Sequence, residues 1–215
     1  MTNNTQQKKT KNSKLIRKPK QARSIKTKEK ILKTALNLFC KKGFYKTTTT
    51  EIAKEASIPI GSLYSYFKNK EMILLEILDY YNQIFIEKLS LLNSLETIHI
   101  LKTSKRLWIF RIIETLIELH KETKELSIEL HSLYHSMPEV AIIQENHDIT
   151  ITQQITKELI TIKDELKITD IEGASIVIND LISSLVDRIV FTNPSIDRER
   201  IINQGVELIY KYLFL

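Results

Sequence analysis

Apolar residues recur at intervals of three and four along most of the chain, which is the spacing of an amphipathic α-helix. The first such pattern predicts a helix over residues 26–42. Lys41 and Lys42 lie in its last turn, and Gly43 follows as the residue that ends it. No segment alternates apolar and polar residues over a length that would indicate a strand. The pattern therefore predicts an all-α protein.

The same spacing predicts nine helices in total. They cover residues 26–42, 49–56, 60–66, 70–92, 97–119, 124–135, 139–166, 171–191 and 197–213. Thr48 and Glu51 form a Thr-x-x-Glu capping box at the start of the second helix, and Thr169 and Glu172 form another before the eighth. We predict a disordered arm over 1–24, a helix-turn-helix domain over 25–70 and a larger helical domain over 71–215, joined by the helix 70–92.

Charge divides the chain in the same place. Residues 1–70 contain 18 Lys or Arg and 3 Glu, a net charge of +15, whereas residues 71–215 contain 14 Lys or Arg and 23 Asp or Glu, a net charge of −9. A third of the chain is thus suited to a polyanion, either nucleic acid or an anionic membrane surface. The arm is too polar to form a core, and it is either a solubilising tail or a segment that contacts phosphates.

The segment Pro59–Phe67, PIGSLYSYF, favours nucleic acid. It follows a short helix and a tight turn, which is the spacing of a helix-turn-helix. Leu63 and Phe67 are expected to face inward, against Ile52, Ala56 and Leu36. The hydroxyl groups then face outward, where they can donate hydrogen bonds to phosphates. Tyr64 and Tyr66 could instead pack on the first helix.

Residues 26–72 resemble the N-terminal domain of the tetracycline-repressor (TetR) family. The resemblance is carried by ILKTALNLF, GFYKTT, EIAKEA and GSLYSYFKNKE. It implies a homodimeric transcription factor, usually a repressor, that binds a palindromic operator in double-stranded DNA. It also implies that the C-terminal helices form the dimer and a pocket for an unknown small-molecule effector.

Carried over to this sequence, the resemblance implies three groups of DNA contacts. Phosphate contacts fall to Thr48, Thr49 and Thr50, the positions nearest the bases are Ile60, Gly61 and Ser62, and the DNA backbone is held by Tyr64, Tyr66 and Lys70. For Lys70 a solvent-exposed surface lysine is the alternative. Ser57 replaces the usual glycine of the turn, which predicts a slightly strained turn, and Pro59 replaces the usual polar cap, which removes one phosphate-contacting hydroxyl. Ile60 replaces a polar base reader and could pack on a thymine methyl group.

The second domain offers candidate pocket walls and a candidate dimer interface. The candidate pocket residues are Trp108, Phe110, Arg111, Tyr134 and Met137. Each could equally be core, and Arg111 could pair with Glu114 or Glu118. The helix 171–191 is apolar on most faces, which predicts burial against a second subunit or in the chain's own core. The candidate interface residues are Leu181, Leu185, Ile189, Ile202 and Ile209.

Several other classes of protein are disfavoured. No segment has the length and apolarity of a membrane span or a secretory signal, and the single cysteine, Cys40, fits a reducing cytoplasm. No phosphate loop, nucleophile elbow or metal-hydrolase motif is present, so no enzyme activity, metal or cofactor is expected. The sequence predicts a cytoplasmic, sequence-specific DNA-binding regulator that a ligand releases from its operator. The alternative is a helical protein that binds a membrane surface through its basic residues.

Overall fold

The structure is a computed structural model that describes residues 22–90, 95–192 and 194–214. The described part of the chain forms ten α-helices and no strand, which confirms the predicted all-α class with one helix more than the nine expected. The helices are α1 (Ala22–Lys42), α2 (Thr49–Glu55), α3 (Ile60–Tyr66), α4 (Lys70–Ser90), α5 (Leu95–Thr103), α6 (Lys105–Glu122), α7 (Lys124–Tyr134), α8 (Pro138–Thr161), α9 (Ile171–Phe191) and α10 (Arg198–Phe214). A 3-10 turn spans Lys163–Glu165. The predicted arm lies outside the described residues up to position 21.

The predicted helix over 97–119 is wrong, because the structure has two helices there. Ser104 begins the second one, α6, and its hydroxyl accepts a hydrogen bond from the Leu107 N–H at 3.3 Å. The predicted second capping box is also displaced by one residue. Asp170 caps α9 by accepting a hydrogen bond from the Gly173 N–H at 2.9 Å. In both places a short polar side chain starts a helix by satisfying an otherwise unpaired backbone N–H group.

The N-terminal helices share one core with the second domain. Phe39, Leu63 and Phe67 are buried among α1, α3 and α4, and Leu130 and Leu133 of α7 belong to the same cluster. The predicted boundary near residue 70 therefore falls inside a continuous core. A displacement of α7 would change the packing of the helix-turn-helix directly, because packed interiors have little free volume.

A second core holds α6, α9 and α10 together. Ile113 and Ile117 of α6 pack with Ile182 of α9 and Ile209 of α10. Gly205 permits a close crossing of α9 and α10, since a Cβ atom at Gly205 would lie 2.3 Å from Leu185 Cδ1. Glycine at this crossing allows the two long helices to pack closely enough to act as one unit.

Candidate nucleic-acid interface and ligand cavity

The capping box at Thr48 fixes the start of α2. The Thr48 side chain accepts a hydrogen bond from the Glu51 N–H at 3.2 Å, and the Glu51 carboxylate accepts one from the Thr48 N–H at 2.9 Å. Lys42 of α1 donates to the same carboxylate at 2.6 Å. This hydrogen bond from Lys42, followed by those from Thr48, lowers the pKa of Glu51 from 4.5 to about 2. The first helix and the helix-turn-helix are therefore tied together at the protein surface.

The turn between α2 and α3 is strained, as predicted from Ser57. Ser57 has a φ of 50°, which is the left-handed conformation that glycine adopts at lower cost. Pro59 precedes the first residue of α3 and makes no side-chain capping hydrogen bond. Because proline has no polar side-chain atom, no side chain at position 59 accepts a hydrogen bond from the backbone N–H groups at the start of α3.

Helix α3 is anchored by its apolar face and exposes the other. Leu63 is fully buried and Phe67 is 1% exposed, whereas Ile60 is 39% exposed and Tyr64 is 50% exposed. A Cβ atom at Gly61 would meet no atom within 4 Å, so nothing inside the protein requires glycine there. Ile60, Gly61 and Tyr64 thus lie on the outer face of a rigidly held short helix. A helix presented in this way is suited to enter a DNA groove.

Two of the predicted backbone contacts take part in the fold itself. The Tyr66 hydroxyl forms a 2.9 Å hydrogen bond with Ser24 of α1. The Lys70 ammonium group donates to the carbonyl oxygens of Phe44, Tyr45 and Thr47 at 2.9, 3.4 and 3.1 Å. Since an ammonium group has three hydrogens, these bonds use all of them. In this structure Lys70 therefore anchors the loop before α2.

The remaining predicted contacts are placed at the start of α2 and along α3. Thr50 is exposed, Thr49 and Ser62 are half-buried, and the Thr49 and Tyr64 hydroxyls lie 2.9 Å apart. The hydroxyl of Thr48 belongs to the capping box. The contact between Thr49 and Tyr64 brings the start of α2 and the middle of α3 together at the surface, where the sugar-phosphate backbone of DNA could reach them.

A link between the two domains escaped the sequence analysis. Glu129 of α7 accepts a hydrogen bond from the Phe44 N–H at 2.6 Å, and the Tyr45 hydroxyl donates to Ser136, just after α7, at 2.9 Å. The partners lie 85 and 91 positions apart, so no local spacing could reveal them. Helix α7 thereby holds the loop that Lys70 also anchors.

Two adjacent cavities lie among the described helices of the second domain. The inner chamber has a volume of about 270 Å³ and lies among α4, α6, α8, α9 and the end of α10. The outer cleft has a volume of about 970 Å³ and extends to α7. Five residues line both spaces: Phe85, His120, Gln144, His147 and Ser183. These five residues form the partition between the two spaces, so a ligand in either space would contact the same side chains.

Two histidines pack against Phe85 at this partition. The ring centroids of His120 and His147 lie 5.4 and 5.1 Å from that of Phe85. His120 Nδ1 lies 2.8 Å from the Leu116 carbonyl oxygen, so Nδ1 carries the hydrogen and Nε2 is the acceptor of the neutral ring. His147 Nδ1 is buried without a hydrogen-bond partner among the described residues. Burial lowers the pKa of His147, which favours its neutral form.

Two of the five predicted pocket residues line these spaces. Trp108 lies in the wall of the inner chamber, and Tyr134 lies in that of the outer cleft. The other three lie elsewhere: Met137 is buried in the first core, Phe110 packs against the second, and Arg111 is exposed. The predicted pairing of Arg111 is also wrong, because Arg198 holds Glu114 at 2.7 Å and Glu118 at 3.6 Å.

Three of the predicted interface residues are buried inside the chain itself. Ile202 is 0%, Ile209 is 2% and Leu185 is 9% exposed, so these side chains are covered by the chain's own residues. Leu185 is held against Gly205. Leu181 and Ile189 remain partly exposed. The periodicity of an all-round apolar helix could not distinguish its own core from an interface.

Both domains match known families. Residues 31–77 match the model of bacterial regulatory proteins of the tetR family, and residues 106–213 match that of the tetracyclin repressor-like C-terminal domain. The second match covers half of the chain. The chain belongs to the TetR family. It is therefore a DNA-binding transcriptional regulator with a helix-turn-helix, and the membrane-surface alternative is not favoured. Among the described residues, no helix combines the length and apolarity needed to cross a membrane.

Individual TetR-family relatives match over different lengths. The regulator YerO of Bacillus subtilis is 52% identical over 54 residues, 25% of this chain and 19% of YerO. The regulator YdgC of the same organism is 31% identical over 109 residues, 49% of this chain and 53% of YdgC. The chain thus spans about a fifth and about half of these relatives. The regulator QacR of Staphylococcus aureus is 28% identical over 188 residues, 86% of this chain and 93% of QacR.

Solved structures of the TetR family have the same fold. A regulator from Mesorhizobium loti superposes with a TM-score of 0.66 at 19% identity and covers 91% of this chain and 100% of its own. A regulator from Saccharomonospora viridis, solved in complex with choline, superposes with a TM-score of 0.67 at 15% identity and covers 87% of this chain and 97% of its own. At these identities the likeness establishes the fold.

Proposed function

We propose that this TetR-family protein is a cytoplasmic repressor that binds a palindromic operator as a homodimer and is released by a small-molecule ligand. The observation that carries the DNA-binding part is the outer face of α3. Ile60 and Tyr64 are exposed there, and Gly61 leaves open space where a helix could approach DNA closely. Two such helices in a dimer would enter major grooves about one helical turn apart, roughly 34–36 Å.

Base recognition and phosphate contact fall to different residues in this proposal. Ile60 packs on a thymine methyl group, because an apolar side chain offers no hydrogen bond to a base edge. Thr50, Ser62 and Tyr64 contact phosphates through their hydroxyl groups, which position the helix without reading sequence. Sequence-dependent DNA shape then contributes part of the specificity.

The dimer interface is proposed on the outer faces of α9 and α10. Val177 is 56%, Leu208 is 54% and Tyr212 is 42% exposed, and Leu181 is half-buried. The two helices meet where Leu185 packs against Gly205, and the Lys167 N–H, just before α9, donates to the Leu213 carbonyl oxygen at 2.8 Å, so the start of α9 lies beside the end of α10. Burying them against a second copy would produce a four-helix interface with two-fold symmetry.

Ligand release is proposed to act through α7. Leu130 packs in the N-terminal core on one side, while Ser127 and Tyr134 line the outer cleft on another. Glu129 of the same helix holds the loop before α2. A ligand that prefers one position of α7 would therefore change the affinity for DNA by its difference in affinity for the two states.

The first test is fluorescence anisotropy with the duplex immediately upstream of the protein's own gene, beside a shuffled duplex of equal composition. We expect preferential binding to the upstream duplex, with an affinity that falls steeply as salt rises because phosphate contacts release counterions. Equal affinity for the two duplexes would contradict sequence-specific regulation of the gene itself. Ile60→Ala is expected to reduce the preference for the upstream duplex over the shuffled one. Lys54→Ala, on the exposed side of α2, is the control for a change in non-specific electrostatic attraction to DNA.

A further inference from the structure

A buried asparagine lies in the wall of the inner chamber. Among the described residues, the buried polar side chains are those of Thr47, Ser175 and Asn179. Thr47 and Ser175 each donate to a backbone carbonyl four residues earlier, at 2.9 and 2.7 Å, and neither lines the chamber. Asn179 of α9 lines it and is 7% exposed. Because an amide is costly to bury unless it is hydrogen-bonded, both of its polar atoms need partners.

The amide nitrogen of Asn179 faces α8. Nδ2 lies 2.7 Å from Asp148 Oδ1 and 3.3 Å from Thr152 Oγ1. Since an ionised carboxylate can only accept hydrogen bonds, the amide atom beside Asp148 must be the nitrogen. The two hydrogens of that nitrogen are used by these two oxygens. The network therefore fixes the orientation of the amide and leaves its oxygen as the atom still to be paired.

The side-chain oxygen of Asn179 accepts no hydrogen bond from any described residue. Within the same part of the chain, the fully enclosed side-chain atoms without a partner are His147 Nδ1 and Arg198 Nε, so Asn179 Oδ1 borders open space instead. That space is the inner chamber, since Asn179 belongs to its wall. The chamber thus presents a hydrogen-bond acceptor that is fixed in direction and lacks a donor.

Most of the wall around this acceptor is apolar. Phe85 and Trp108 contribute aromatic rings, and Ile112, Ile151 and Ile155 contribute aliphatic surface. The chamber volume of about 270 Å³ exceeds the roughly 150 Å³ of an apolar cavity that holds one benzene. The chamber therefore has room for an aromatic ring and a short aliphatic chain.

We propose that the inner chamber binds an apolar molecule through a single hydroxyl group, which donates to Asn179 Oδ1. The inference rests on the proposed function, since it names the chemical class of the ligand that releases the repressor. A hydroxyl group supplies one hydrogen to the acceptor and costs far less to desolvate than a charged group. A molecule without a donor would leave the oxygen unpaired and cut off from water.

Two isomers separate the donor from the shape: 5-phenylpentan-1-ol and 4-phenylbutyl methyl ether. They contain the same atoms in chains of equal length, and only the alcohol has a hydrogen-bond donor. Trp108 is the single tryptophan of the sequence, so its fluorescence reports on this chamber. We expect the alcohol to bind about three- to tenfold more tightly, because only the alcohol pairs the buried acceptor. Equal affinities, a preference for the ether, or no effect of either isomer on Trp108 up to its solubility limit would each overturn the proposal.

Two variants assign the preference to Asn179. Asn179→Leu replaces the amide by an apolar side chain of similar size, and the ratio of alcohol to ether affinity should fall to about one. Asp148→Asn should also lower the ratio, because an amide at position 148 can accept as well as donate and no longer fixes the orientation of Asn179. The affinity for the ether should stay within about threefold in both variants, which a general loss of the fold would not permit.

Asn82→Leu is the matched control. Asn82 lines the outer cleft but is not among the residues of the inner chamber, so the same substitution there should leave the ratio unaltered. Unaltered ratios in both chamber variants, or a loss of the preference in Asn82→Leu, would overturn the assignment to Asn179.

The same isomers added to the protein–DNA complex distinguish this inference from the function on which it rests. Release of DNA at matching concentrations of alcohol and ether would retain ligand-responsive repression and overturn the role of the hydroxyl group. Binding at Trp108 that depends on the hydroxyl group, without release of DNA, would retain the binding site and overturn ligand-responsive repression.

Discussion

Lys70 is a lysine in a strongly basic domain, and its charge alone suggests a phosphate contact. Its three hydrogen bonds to the carbonyls of Phe44, Tyr45 and Thr47 give it a different role. It also lies over the Phe44 ring, at 4.3 Å from the centroid. At the scale of single residues, charge specifies which partners are possible, and the surrounding backbone selects one of them.

We expect Lys70→Met to destabilise the fold by about 1–3 kcal/mol, because it removes hydrogen bonds between a charged donor and partly buried carbonyls. Urea unfolding followed by circular dichroism measures this change. Lys68→Met, at an exposed position two residues earlier, should change stability by less than about 0.5 kcal/mol. Equal stabilities of the two variants would show that Lys70 is not an anchor.

Replacing Ser57 by glycine should stabilise the protein. Its φ of 50° is costly for a residue with a side chain, so Ser57→Gly is expected to stabilise the protein by about 0.5–1 kcal/mol. Ser132→Gly, on the exposed side of α7, should destabilise it by a similar amount, because glycine weakens helices. A lower urea midpoint for Ser57→Gly would mean that the serine side chain contributes more than the strain costs.

Glu51 makes stability depend on pH. Its pKa in the folded protein, about 2, lies below the ordinary value of 4.5, so its stabilising contribution is complete above pH 4.5 and is lost as the pH falls through about 2. We expect Glu51→Gln to be less stable than the wild type near neutral pH and to lose less of its stability between pH 4.5 and pH 2. Thermal unfolding across this interval measures the difference. Glu55→Gln, exposed on the same helix, should retain the pH dependence of the wild type.

At the scale of elements, α7 belongs to both domains. It contributes Leu130 and Leu133 to the N-terminal core and lines the outer cleft with its neighbouring turns. It spans Lys124–Tyr134, which is close to the predicted range of 124–135. The sequence indicates this helix and its apolar stripe, but not that the stripe packs against α1.

Glu129→Ala should loosen the loop before α2. The variant removes the acceptor of the Phe44 N–H, and we expect that amide to exchange with solvent about 5- to 30-fold faster, as the loss of about 1–2 kcal/mol of local stability implies. Hydrogen–deuterium exchange measures this rate, and operator affinity should fall with it. Glu125→Ala, one turn earlier on α7 and exposed, is the matched control. Unchanged exchange at Phe44 would remove α7 from the proposed coupling.

At the scale of the whole molecule, the outer faces of α9 and α10 leave apolar surface that the chain itself does not cover. Val177, Leu208 and Tyr212 are each more than 40% exposed. Ile160 of α8 is equally exposed, at 53%, but lies on another helix. Exposure alone therefore does not define an interface, and a comparison between the two positions tests which surface is used.

Leu208→Glu should weaken the proposed homodimer, because the variant places a charge against the apolar surface of the partner. We expect the dissociation constant from sedimentation equilibrium to rise by at least roughly tenfold, and operator affinity to fall in parallel. Ile160→Glu should leave both unchanged. A Leu208→Glu protein that stays as dimeric as the wild type would place the interface elsewhere.

The sequence by itself determined the helices of the N-terminal domain. Gly43, Thr48 and the spacing of Leu63 and Phe67 are local signals, because a helix begins, ends and turns its apolar face through residues a few positions apart. The family resemblance of residues 26–72 followed from the same signals. The break at Ser104 was also encoded locally, but the continuing apolar pattern on both sides concealed it.

Only the tertiary structure decided which apolar and charged residues perform which task. It separated Ile202 and Ile209, which are core, from Leu208, which is exposed, although all three lie on one amphipathic helix. It brought Glu129 to Phe44 and surrounded one chamber with residues of five helices. Burial and distant contacts depend on how whole helices pack, and the short-range spacing along a sequence does not contain that information.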